Sequence, residues 1–111
     1  MAAPKDMPDA GPILHALGDA TRRQIVEALG RGPLSVSALA EPFNMSLTAI
    51  VQHLRVLEDC GLITTEKIGR VRTCQLRMGG LDALATWIDQ RRPEWHRRID
   101  RLATLFGDEI S

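Results

Sequence analysis

Three groups of residues in this chain carry side chains able to do chemistry. Between Ser46 and Gly61, Ile50, Leu54 and Leu57 fall on one side of a helix at about 100° per residue. Thr48, Gln52 and Arg55, at i, i+4 and i+7, fall on roughly the opposite side. A glutamine and an arginine on one exposed row can pair bidentately with adenine and guanine in a major groove about 12 Å wide. Ser46 and the free N–H groups of the first helical turn suit a phosphate. The second group is Lys67, Arg70 and Arg72, set around Gly69, where they can reach backbone phosphates or a narrow minor groove. The third group offers thiol or metal chemistry: Cys60 and Cys74, and His96 with Glu94 and Asp100. One histidine among carboxylates is a poor zinc set, so no metal and no cofactor is expected. Cysteines of this kind are more often buried structural thiols than switches. No triad, phosphate-cradling glycine loop or paired-carboxylate site can be assembled, and the chain is expected not to be an enzyme.

The elements that must hold these groups follow from capping residues and apolar periodicity. Ile13, Leu14 and Leu17 form a short apolar stripe, and Asp19 then caps a helix over about Ala20 to Leu29, stopped by Gly30, Gly32 and Pro33. Ser35 caps a third, short helix whose Val36, Leu39, Ala40 and Phe43 share one face, limited to about two turns by Pro42. Ser46 caps a fourth from about Leu47 to Cys60, ending at Gly61. Two β-favouring runs, Leu62 to Ile68 and Val71 to Met78, are joined at Gly69 and Arg70 as a hairpin. From Leu81 onward the spacing is helical again, and Pro93 is expected to split or kink that helix. A short helix, a tight turn, a longer helix and a basic hairpin make a winged helix-turn-helix. Any surface helix has a polar face, so it is the hairpin beside it that favours nucleic acid.

Length and composition set limits. The chain has 111 residues, 44% hydrophobic and 25% charged, which is one globular domain. The 14 basic and 14 acidic residues cancel, which argues against indiscriminate coating of nucleic acid. Residues 46–78 nevertheless hold 5 basic and 3 acidic groups. No apolar run exceeds four residues, far short of the ~20 that span a bilayer. Residues 1–12 have no apolar leader stretch, so no membrane partner and a cytoplasmic location are expected. The organisation expected is a flexible arm at 1–11, the folded domain at 12–106 with its terminal helix at 79–106, and a tail at 107–111.

The runs LGDATRRQIVEAL at 17–29, LSVSALA at 34–40 and MSLTAIVQHLRVLEDCGLI at 45–63 resemble the ArsR (arsenical-resistance repressor) family of bacterial winged-helix regulators. The most specific parts are Asp19, Thr21 and Arg22 with Gln52, His53, Leu54, Leu57, Gly61 and Leu62. The resemblance implies a homodimeric repressor on a near-palindromic operator of double-stranded DNA, released by a signal the sequence does not name. Carried over by position, the recognition-helix contacts are Ser46, Leu47, Thr48, Val51, Gln52 and Arg55, and the wing contacts are Lys67, Arg70 and Arg72. Relatives commonly have polar residues at the positions of Leu47 and Val51, so readout there is expected to use an apolar contact with a thymine methyl. Residues 34–43 contain neither Cys nor His, so the thiolate metal site some relatives carry is absent, and the non-metal-sensing branch is the closer match.

The resemblance also implies that the first and last helices pair across a two-fold axis. The terminal stripe carries more apolar surface than a small core needs, and the expected interface is Ile13, Leu14, Leu17, Leu84, Trp87, Ile88, Trp95, Ile99, Leu102 and Phe106. The fold class is thus mainly α with a small β-hairpin, a winged helix-turn-helix dimeric through its first and last helices. Two alternatives remain at this point. One is a winged-helix protein-interaction module without DNA binding, favoured by Leu47, Val51 and the zero net charge. The other is a repressor that responds to redox state through Cys60 and Cys74.

Overall fold

A computed structural model describes residues 8–107. Of the expected arm and tail, residues 1–7 and 108–111 lie outside the described residues. The elements are α1 (Ala10–Ala16), α2 (Ala20–Leu29), β1 (Leu34–Ser35), α3 (Val36–Ala40), α4 (Leu47–Asp59), β2 (Ile63–Ile68), β3 (Val71–Leu76) and α5 (Met78–Phe106). A single 3-10 turn, Glu41–Phe43, connects α3 toward α4.

Each of the first four helices starts on a side-chain cap. Asp9 accepts from the N–H of Gly11, Asp19 from Arg22, Ser35 from Ala38 and Ser46 from Ala49, which satisfies donors that a helix start leaves without partners. Asn44 adopts the left-handed conformation (φ 52°) after the 3-10 turn, and this reverses the chain so that α4 crosses α3 as in a helix-turn-helix.

The hairpin pairs Ile63 with Leu76 through to Ile68 with Val71. Of its two turn residues only Gly69 has a positive φ (63°), the pattern of a type II′ turn, whose twist matches that of the flanking strands. The sheet has a third strand that periodicity did not reveal. β1 pairs with β3 at Leu34↔Cys74 and Ser35↔Thr73, giving the order β1-β3-β2. Two residues are too few for an alternation signal; the pairing comes from the tertiary fold.

The core gathers one face of each element: Ile13 and Ala16 of α1, Ile25 and Leu29 of α2, Leu39 of α3, Ile50, Leu54 and Leu57 of α4, Leu62 and Ile63 entering the hairpin, Cys74 of β3 and Ala83 of α5. At the junction of α4 with α5, Gly80 lies against the backbone of Gly61. A Cβ there would stand 2.9 Å from the Gly61 carbonyl carbon and 3.1 Å from the Leu62 Cα, so α5 comes this close to the chain that follows α4 only because residue 80 has no side chain.

Two expectations are corrected at the C-terminal end. The second wing strand ends at Leu76, not Met78; Arg77 donates its N–H to the Leu62 carbonyl (2.8 Å) and Met78 is already the first residue of α5. Pro93 does not split the terminal helix, which runs unbroken through 29 residues. A proline removes one N–H and crowds the preceding turn, but residue 93 is on an exposed stretch where the freed carbonyl can turn to water. The half of α5 beyond Arg92 buries none of its residues. It extends the molecule to 62 Å along its longest axis against 34 and 21 Å across.

Candidate nucleic-acid interface

The reading helix is fixed from behind. Ile50, Leu54 and Leu57 are buried, and Thr48, Gln52 and Arg55 on the far side are exposed, as are Ser46, Leu47 and Val51. Ser46 Oγ accepts from Ala49 N–H at 3.1 Å, so its own proton and the N–H groups of Leu47 and Thr48 are left for an outside acceptor. At the other end, Glu58 Oε2 accepts from both the N–H (3.1 Å) and the hydroxyl (2.6 Å) of Thr65. Those bonds fasten the reading helix to the first wing strand and set the angle between them.

The wing brings cations together. Lys67 and Arg72 are direct cross-strand partners, a like-charge arrangement that is unfavourable on its own, and Arg70 occupies the turn. Arg72 lines a cleft of about 260 Å³ with Arg55, Val51, Leu54, Val36, Glu58 and Thr65. Among the described residues, none of Arg55, Lys67, Arg70 and Arg72 takes part in an ion pair or a side-chain hydrogen bond. All four are exposed. Helix and wing thus present four cations free of ion pairs, with Glu58, bound to Thr65, the carboxylate in the cleft, and a line of phosphates can satisfy them.

Asp19, Arg22 and His53, among the residues most specific to the resemblance, are scaffold. Asp19 caps α2 through Arg22 N–H (3.0 Å), Arg22 Nε donates to the Ala16 carbonyl (2.7 Å), and Arg22 Nη1 lies 3.4 Å from His53 Nδ1. The same His53 Nδ1 lies 3.9 Å from Asp19 Oδ2. Arg23 adds a bond to the Leu17 carbonyl (2.8 Å). Together these tie the end of α1, the start of α2 and the middle of α4. The Arg22 N–H, and then the Arg22 guanidinium, hold the Asp19 carboxyl below its ordinary value against an opposing effect of desolvation.

The thiols have a different character from redox sensors. Cys60 and Cys74 are both free and buried, and Cys60 Sγ donates to the Leu57 carbonyl at 3.3 Å. Burial pushes both thiols up, with Asp59 adding to the effect at Cys60 and Glu58 at Cys74. A reactive cysteine needs the opposite shift and access, so the arrangement weighs against the redox alternative. Among the described residues no three His, Cys, Asp or Glu side chains converge on one point, and Glu94, the carboxylate beside His96, is engaged by Arg98 at 2.7 Å.

The expected dimer residues divide. Ile13 is wholly enclosed in the chain's own core and has no surface to offer a partner; on a seven-residue helix the innermost position belongs to the nearest layer. Leu17 and Leu84 pack partly against the same core, and Trp87 and Ile88 are half-buried. Leu14, Trp95, Ile99, Leu102 and Phe106 are exposed. Leu105, which the spacing by threes and fours passed over, is the most exposed of all at 75%. Trp87 and Trp95 meet edge to face with centroids 6.0 Å apart, and the Arg91 guanidinium lies 4.2 Å over the Trp87 ring. Among the described residues no helix is long and apolar enough to cross a membrane.

Comparison with known proteins agrees with this geometry. Residues 19–65 match the family described as bacterial regulatory protein, arsR family. The chain is 42% identical over 95 residues to the HTH-type transcriptional regulator Rv2034 of Mycobacterium tuberculosis, covering 86% of each. It is 36% identical over 70 residues to an arsenical resistance operon repressor of Staphylococcus aureus, covering 63% of this chain and 67% of that one. A crystal structure of an ArsR family transcriptional regulator superposes with a TM-score of 0.77 at 40% identity, covering 86% of this chain and 97% of the other. With its capped helix α4, basic wing and 86% overlap with the mycobacterial regulator, the chain belongs to the arsR family of bacterial regulatory proteins, DNA-binding transcriptional regulators built on the winged helix-turn-helix.

Proposed function

We propose that this regulator is a homodimeric repressor that binds a near-palindromic operator, reading bases with α4 and holding phosphates with the wing. The observation that carries the reading is that Arg55, Lys67, Arg70 and Arg72 gather on the helix and wing with none of them in an ion pair among the described residues, beside an exposed Thr48 and Gln52. In this reading Gln52 and Arg55 contact base edges. Ser46 and the first-turn N–H groups hold a phosphate, and Thr48 positions the helix in the groove. The repressor sense is supported by the name of the staphylococcal relative.

Dimerisation is supported by the exposed stripe Trp95, Ile99, Leu102 and Phe106 on the projecting half of α5. Pairing there, with Leu14 of α1 beside it, would cover the apolar side chains and set two reading helices about one DNA turn apart, ~34 Å. In this reading the chain is of the non-metal-sensing branch, which a helix α3 without Cys or His supports as far as thiolate-bound metal is concerned. Selection of binding sites from a random duplex pool tests the proposal. Two inverted half-sites spaced by about one turn are expected, and a pool with no enrichment, or with a single unpaired half-site, would contradict it.

A further inference from the structure

The reading helix carries two side chains that cannot hydrogen-bond to a base. Leu47 is the first residue of α4 and is 56% exposed; Val51, one turn on, is 38% exposed. Both line one cleft with Ser35, Val36 and Ser37 on one side and Arg70, Val71 and Arg72 on the other. Val51 also borders the adjoining cleft that Arg55 and Arg72 share. The apolar surface is therefore set within a cationic frame.

That frame determines what meets it. Phosphates held by Arg70 and Arg72 leave the base edges of the same groove facing Leu47 and Val51. In the major groove only one base-edge group is apolar, the C5-methyl of thymine. Any donor or acceptor set against these side chains gives up water and gains no partner. We propose that Leu47 and Val51 seat thymine C5-methyl groups, so that the chain reads thymine through its methyl at one or more positions of each half-site. The inference rests on the operator reading above and names the chemistry it selects.

Replacing thymine by deoxyuridine removes the methyl and keeps the Watson–Crick pairing. The probe is the strongest duplex recovered from the random pool, prepared once with thymine and once with deoxyuridine throughout. One buried methyl is worth roughly fourfold in affinity, so one thymine per half-site gives a loss of about fifteenfold across a dimer site. The slope of binding against salt should be the same on both duplexes, because the phosphates are unchanged. The double variant Leu47→Ala, Val51→Ala, altered only at exposed positions and checked for an unchanged melting midpoint, should bind the two duplexes equally. Equal binding of both duplexes by the unaltered chain would overturn the methyl inference and leave the operator reading standing. Discrimination that persisted in the double variant would also overturn it. A pool yielding no specific duplex would overturn both, through the operator reading.

Discussion

Gln52 and Arg70 are both exposed polar residues, and their surroundings divide their roles. Gln52 is on the outward face of α4, the position proposed to meet a base; Arg70 is in the turn of the wing, the position proposed to meet a phosphate. Gln52→Ala is therefore expected to cost about 1–3 kcal/mol on the operator and to relax preference at one position per half-site. Arg70→Ala should weaken operator and random duplexes alike and reduce the salt slope by about one per phosphate lost. Anisotropy titrations on both duplexes check this, and equal losses on both for Gln52→Ala would contradict the division.

Asp19 makes a pH prediction. Its carboxyl is held below the ordinary value of 3.8, so its contribution is present above about pH 4 and is lost as the pH falls through the lowered folded value. Asp19→Asn keeps a capping oxygen but removes the charge. The melting midpoint of this variant should change less than that of the parent between pH 6 and the acid end. Cys60 and Cys74, buried and shifted upward, should resist a thiol reagent in the native protein at neutral pH and react fully in denaturant. Rapid native modification would reopen a redox role.

At the scale of elements, the second, third and fourth helices were legible because each announces itself twice, by a cap and by a periodic apolar face. Ser46 with Ile50, Leu54 and Leu57 is the clearest case, and the wing followed from β-favouring runs on either side of Gly69. What stayed hidden depended on tertiary contact. β1 is two residues long, Ile13 looked like part of a surface stripe, and Pro93 suggested a break that the helix absorbs on its exposed side. His53 and Arg22 were visible as motif residues, but their mutual contact, 31 positions apart in sequence, was not. The Gly61 and Gly80 contact is of the same kind. Gly80→Ala should destabilise the fold by about 1–3 kcal/mol through overpacking, although alanine favours helix in isolation. Urea unfolding reads the sign directly, and a stabilised variant would show that α5 can shift away from Gly61 without loss.

For the whole molecule, the exposed half of α5 is the surface proposed to pair two copies. Ile99→Glu with Leu102→Glu places charge in the stripe proposed to pair, and light scattering should show a monomer where the parent is a dimer. Both tryptophans of the chain are on α5, so their emission should shift to the red in the same variant. Affinity for the operator should fall steeply, since each half-site would be bound alone. A dimer that survived both charges would place the interface elsewhere.

The central claim is sequence-specific recognition of DNA by α4 and a basic wing. It is tested most directly by titrating the purified protein, across a range of salt, against the DNA upstream of its own gene and a scrambled duplex of equal length. Tighter binding to the upstream duplex is expected, with a slope of log K against log salt of about −5 from roughly six wing-phosphate contacts in the proposed dimer. Equal affinity for both duplexes, or no binding even at low salt, would contradict it and leave the winged helix as a protein-interaction module.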